Sequence, residues 1–204
     1  METEEIREKK EPKRLPVWAC ILLFALGLFV CMGLYGTIGF GLLSLILGDE
    51  ARHPGLLVYT VTEANMLLSV LTPAVILLYF ERRPFSDLGL TLKGHVRGLW
   101  YGLLVAMLLY LIGFGLSLAI GEVEVTGFQF DPLNLLGTFV FCLLVALTEE
   151  IMMRGYILGR LLHTRMNKFL ALFVSALLFA LLHIFNPNVA FLPMLNLVIA
   201  GMLI

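Results

Sequence analysis

Long apolar runs separated by short polar stretches dominate the chain. A helix needs about 20 apolar residues to cross the hydrocarbon core of a bilayer. Runs at 17–48, 55–80, 96–120 and 134–162 meet that length, one at 168–185 nearly does, and a sixth starts near 190 and ends at Ile204. Run one exceeds what a straight crossing needs, so Gly33, Gly36, Gly39 and Gly41 are expected to break it into a span and an interfacial piece. Pro73 predicts a kink in run two. Gly98-x-x-x-Gly102 and Gly155-x-x-x-Gly159 have the spacing that lets two helices approach closely. The expected fold class is all-α, a polytopic transmembrane helix bundle.

Composition agrees: 60% of the 204 residues are hydrophobic, 14% are charged, and the mean hydropathy is +0.95. Soluble domains carry about a quarter charged residues. The net charge of -1 decides little, because the charges sit in separate clusters. No basic face stands out beyond the flanks of the apolar runs, so no nucleic-acid partner is expected. Cys20, Cys31 and Cys142 lie within apolar runs without paired spacing, and read as small apolar residues rather than a disulfide framework or a zinc pattern. The charged stretch 1–16 precedes a run too long for a signal-peptide core, so the first run reads as a retained anchor.

The distribution of Lys and Arg sets an orientation. The tail 1–16 has five, loop 49–54 one, loop 81–97 four, loop 121–133 none and loop 160–168 three. This alternation fits one crossing per run with the N-terminus in the cytoplasm of a multi-pass cell-membrane protein.

Ionisable groups inside a membrane are costly and functional by default. Glu63 and Asn65 lie in run two, Glu149, Glu150 and Arg154 in run four, and His183 in run five. His53, His95 and His163 fall in loops and read as solvated side chains. Glu149 and Glu150 are about 100° apart around a helix and cannot face the same way. Glu150 and Arg154 are four residues apart and can pair. Glu149 has no such partner in its own helix, which leaves it able to exchange a proton. Phe179 and His183, also four apart, share a face. A carboxylate and a histidine on neighbouring helices could hold and deprotonate a water, the general-base arrangement for hydrolysis. The alternative for these charges is a buried ion-pair network without chemistry. Glu63 reads as a structural polar group facing the bundle interior.

At these residues the sequence resembles the CPBP family of intramembrane glutamic endopeptidases, the CAAX-protease and bacteriocin-processing (Abi) group. Glu149, Glu150 and Arg154, followed by Gly155, match its Glu-Glu-x-x-x-Arg motif, and Phe179 and His183 match its Phe-x-x-x-His motif. The stretch "RRPFSDLGLTLK", 82–93, is similar to a polar segment that often precedes the core in bacterial members. The resemblance implies a cavity within the membrane, water activation by Glu149 and His183, and support of that pair by Glu150 and Arg154. It divides the chain into a cytoplasmic tail at 1–16, N-terminal transmembrane helices at 17–81 and a CPBP-like catalytic core at 82–204. The family also carries a later His-x-x-x-Asn motif at its oxyanion site. Asn186, Asn188 and Asn196 follow His183 here without a further histidine, so the core is expected to continue beyond residue 204.

The implied function is an intramembrane peptide hydrolase acting on a membrane-associated protein or peptide. The alternatives are a proton-coupled transporter, since paired carboxylates also suit a relay, and a catalytically silent immunity or scaffold protein. No cofactor is encoded. A divalent metal is compatible with the residues, but His-Glu-x-x-His and any second close histidine are absent, so no local motif specifies one. On the charge pattern, single cysteines placed at 49–54 and 121–133 react with an impermeant thiol reagent in sealed cells, and those at 81–97 and 160–168 do not. Outside labelling of 160–168 overturns the orientation.

Overall fold

A computed structural model of the chain describes residues 15–53, 55–91, 93–184, 186 and 190–203. Each apolar run is helical, with ends within about three residues of the pattern. They are α1 (Val17–Leu47), α2 (Leu56–Phe80), α3 (Val96–Ala119), α4 (Pro132–Glu150), α5 (Gly159–Leu162), α6 (Lys168–Leu182) and α7 (Phe191–Leu203). A π-helical segment, Ile151–Leu158, joins α4 to α5, making one apolar rod from Pro132 to Leu162. Short 3-10 turns occupy Gly48–Arg52 and Phe85–Leu88. Among the described residues four helical stretches are long and apolar enough to span a membrane, while α6 and α7 are shorter apolar helices. The architecture is the all-helical, multi-pass membrane bundle expected.

Two expectations fail locally. The glycines of run one do not break it: α1 is continuous for 31 residues. In lipid nothing competes for backbone N–H and C=O groups, so a glycine costs a transmembrane helix little. One of them, Gly39, is instead a packing site, since a Cβ there would run into the Asn65 side chain of α2. Gly27 receives Pro73 in the same way, with Pro73 Cβ 2.8 Å from where a Cβ would sit, and α2 continues as a helix through Pro73. The second failure is Gly98-x-x-x-Gly102. Both glycines face open space, and α3 buries no residue among those described.

The core gathers where α1, α2 and α6 surround the π-helical segment. It contains Phe24, Val70, Ala74 and Leu78 together with Ile151, Met152, Met153, Tyr156 and Ala171. The Tyr156 ring, fully buried, stacks on Phe24 with centroids 4.3 Å apart.

At one end of this core lies a charged cluster. Arg160 appears from sequence to be a loop cation, but its side chain is only 3% exposed and pairs with Glu81 at the end of α2. Arg83 lies 3.4 Å from both Glu81 and Asp87, and Arg160 lies 3.9 Å from Asp87. The Cys20 thiol donates to Glu81 at 2.7 Å, so this cysteine is a polar partner as well as a small filler. The start of α1, the end of α2 and the end of α5 therefore share one side of the bundle. Removing one partner from a buried ion pair costs about 3–5 kcal/mol. Glu81→Gln is accordingly expected to lower the melting temperature strongly, and the paired apolar replacement Glu81→Leu with Arg160→Met to lower it less than either single change, as read by thermal melting in detergent.

Candidate active site

The rod from Pro132 begins with a strong helix start signal. The Asp131 carboxylate accepts from the backbone N–H groups of Leu133 and Asn134, and Pro132 fills the first turn, where no N–H partner is needed. This fixes where the helix begins, and Glu149 and Glu150 follow at its α-to-π transition. π-Helical turns are uncommon and concentrate at functional sites.

Arg154, within the π-helical segment, donates to Glu150 at 2.5 Å, which is the pairing expected from their spacing. Its guanidinium also lies 5.8 Å from the centre of the Phe179 ring. Phe179 in turn meets His183 edge to face, with centroids 4.6 Å apart. Across the helix pair, His183 Nε2 lies 3.6 Å from Glu149 Oε1. The five residues singled out from the two motifs thus come together from two separate elements.

His183 is not within a helix. α6 ends at Leu182, and His183 follows it with φ −91° and ψ 0°. Its Nδ1 lies 2.9 Å from the carbonyl of Phe179, which can only accept, so the hydrogen is on Nδ1. In the neutral ring this leaves Nε2 as the acceptor, on the side of Glu149. The 3.6 Å separation is too long for a direct hydrogen bond, and a water touching both atoms would sit beside the line that joins them. Both side chains are partly open, with 23% of His183 and 35% of Glu149 exposed.

Two neighbours were not anticipated in these roles. Ser175, buried on α6, donates to the carbonyl of Met153 at 3.2 Å. It ties the helix that carries Phe179 and His183 to the π-helical segment. The signal was present, because Ser175, Phe179 and His183 recur every four residues and so lie along one face. Glu63, read as structural, lies on α2, which packs against the α4 helix that carries Glu149. It also borders a cavity of about 230 Å³ between α1 and α2, with Thr62, Asn65 and Ser69. His53, His95 and His163 are exposed, as expected. Among the described residues no three His, Cys, Asp or Glu side chains converge as metal ligands.

Residues 131–204, which hold α4 to α7 and all of both motifs, match the family of type II CAAX prenyl endopeptidases, Rce1-like. No curated protein and no solved structure matches the chain. Fold and match together support a membrane protease of the CAAX type as the class, with the Rce1-like family, within CPBP, covering this C-terminal part.

Arg154 holds Glu150 and stacks near Phe179, so its loss leaves a carboxylate without a partner. Removing one side of a charged hydrogen bond costs about 1–3 kcal/mol. Arg154→Ala is expected to lower stability by that order, and Arg154→Lys less, because it keeps the charge without the planar fork. Melting of each variant in detergent checks this, and a wild-type melting curve for Arg154→Ala removes the role.

Proposed function

We propose that the protein is an intramembrane endopeptidase that hydrolyses a peptide bond in a membrane-associated substrate, using water activated between Glu149 and His183. The observation that carries this reading is the 3.6 Å gap between Glu149 Oε1 and a His183 Nε2 whose tautomer is set by the Phe179 carbonyl. Two acceptors facing one gap can each take one hydrogen of a water, leaving an oxygen lone pair directed outward at the scissile carbonyl.

As the water oxygen bonds to the carbonyl carbon, one of its protons passes to Glu149. The carbon–nitrogen bond then breaks as the leaving amine takes up that proton from Glu149; the water's second proton, left on the new carboxyl group, passes to the amine, so the products depart as a carboxylate and an ammonium. His183 holds the water in place through its Nε2 acceptor. Arg154 and Glu150 position the pair: Arg154 supports the face of Phe179 against which His183 packs. Glu149 and His183 are two donors, fewer than the three protein ligands of a catalytic zinc, and these steps need no metal.

The catalytic core is proposed to run from residue 82, since the Phe85–Leu88 turn packs directly on the π-helical segment. The cluster around Glu81 and Arg160 is proposed to face the cytoplasm, following the positive charge of that end. The prenylated CAAX tail in the family's description is the first substrate class to assay.

Glu149→Gln keeps the shape and removes the proton acceptor. It is expected to reduce cleavage in liposomes by about 10²–10⁴ with little change in melting temperature, whereas Glu150→Gln lowers melting temperature and reduces cleavage only partly. Near wild-type turnover by Glu149→Gln removes Glu149 as the base, and absence of any cleavage by the wild type favours a proton relay or a structural ion pair.

A further inference from the structure

The Gly155-x-x-x-Gly159 spacing reads as a helix–helix packing signal, yet what lies on it is not a helix. It is the backbone of the turn at 85–88. A Cβ at Gly155 would come within 2.7 Å of the Leu88 carbonyl oxygen and 3.3 Å of its carbon, and one at Gly159 would lie 3.6 Å from the Asp87 carbonyl oxygen. Backbone cannot swing aside as a flexible side chain can, so the approach at Gly155 requires glycine.

The turn is anchored on both sides of this contact. Asp87 is paired with Arg83 at 3.4 Å and with Arg160, one turn beyond Gly155, at 3.9 Å. The Leu88 side chain is buried. Gly89 follows in the left-handed region at φ +75°, which turns the chain back over the rod. Between Leu88–Leu90 and the Glu150–Arg154 pair lies a cavity of about 180 Å³. The turn therefore bears on the backbone of the π-helical segment, immediately after Arg154, and leaves the charged side chains themselves room.

We propose that residues 85–90 are a positioning clamp, which by seating on Gly155 holds the π-helical turn so that Arg154 and Glu150 stay in register with Phe179, His183 and Glu149. The clamp's effect on catalysis rests on the hydrolase reading; its mechanical coupling to the Glu150–Arg154 pair does not. Asp87, Leu88 and Gly155 are positioning residues, since none reaches the gap between Glu149 and His183.

The test has two arms on the full chain in detergent. The first is a thermal-melting cycle of wild type, Asp87→Asn, Glu150→Gln and the double variant. Coupled elements give a double loss different from the sum of the single losses, which is the result expected; additive losses overturn the clamp. If Asp87→Asn does not fold, Asp87→Glu, which keeps the charge on a longer arm, takes its place in the cycle. The second arm measures cleavage by Gly155→Ala and Asp87→Asn. A displacement of about 1 Å at a site can cost about 10²-fold in rate, so kcat is expected to fall by up to that factor with KM unchanged. A wild-type kcat in folded Gly155→Ala overturns the proposal, because a merely structural contact changes the amount of folded protein and not its turnover. If the wild type itself cleaves no substrate, the hydrolase reading fails, and the melting cycle alone decides the clamp.

Discussion

The pairing of Arg160 with Glu81 is the constraint on which the rest of the bundle depends. A guanidinium almost wholly removed from solvent must have a carboxylate beside it, since an isolated buried charge is prohibitively costly. Meeting that need brings the end of α2 against the end of the Pro132–Leu162 rod. The same carboxylate receives the Cys20 thiol and so draws in the start of α1. Asp87 extends the cluster into the following turn. Once these ends are fixed, Tyr156 falls on Phe24 and the apolar faces close between them. Such a cluster confers arrangement more than net stability, because desolvation offsets much of the Coulombic gain.

From that fixed end the rod carries Glu149, Glu150 and Arg154 toward its middle. Two helices meet at the transition from α to π geometry, and they are tied by Ser175 to Met153 and by a chain of contacts from Arg154 through Phe179 to His183. Each link is weak alone: a cation over a ring contributes about 0.5–2 kcal/mol. In series they leave His183 little freedom, because its ring is held both by a neighbour's face and by a backbone carbonyl. Glu149, Glu150, Arg154 and Phe179 sit on helical elements, and His183 directly follows one.

Much of this was legible in the chain itself. Hydrophobic run length located the helices, with 96–120 read and Val96–Ala119 found. The four-residue spacings of Glu150 with Arg154 and of Phe179 with His183 anticipated contacts that the structure contains. What escaped is long-range or depends on backbone geometry. No residue type announces a π-helical segment at 151–158. Arg160 lies among loop-like charges, and only the fold shows that Glu81, 79 residues earlier, comes to it. The role of Gly155 was half visible: its spacing marked a close approach, but the partner was a turn that no periodicity describes. Glycines in α1 were misread because rules from water overstate their cost in lipid.

The length of α1 has a further consequence. A 31-residue helix rises about 46 Å, while the hydrocarbon layer is about 30 Å thick. Hydrophobic mismatch of this kind is relieved by tilt or by local thickening of the bilayer. Because Cys20 is bound to Glu81, the first turns of α1 cannot slide independently of α2. Any tilt is therefore passed to the whole hairpin, and with it to the rod that carries Glu149. Membrane thickness becomes a mechanical variable for this protein: a thick, sterol-rich bilayer accommodates α1 more nearly upright than a thin one, and the depth of the Glu149–His183 pair shifts with the membrane in which the chain resides.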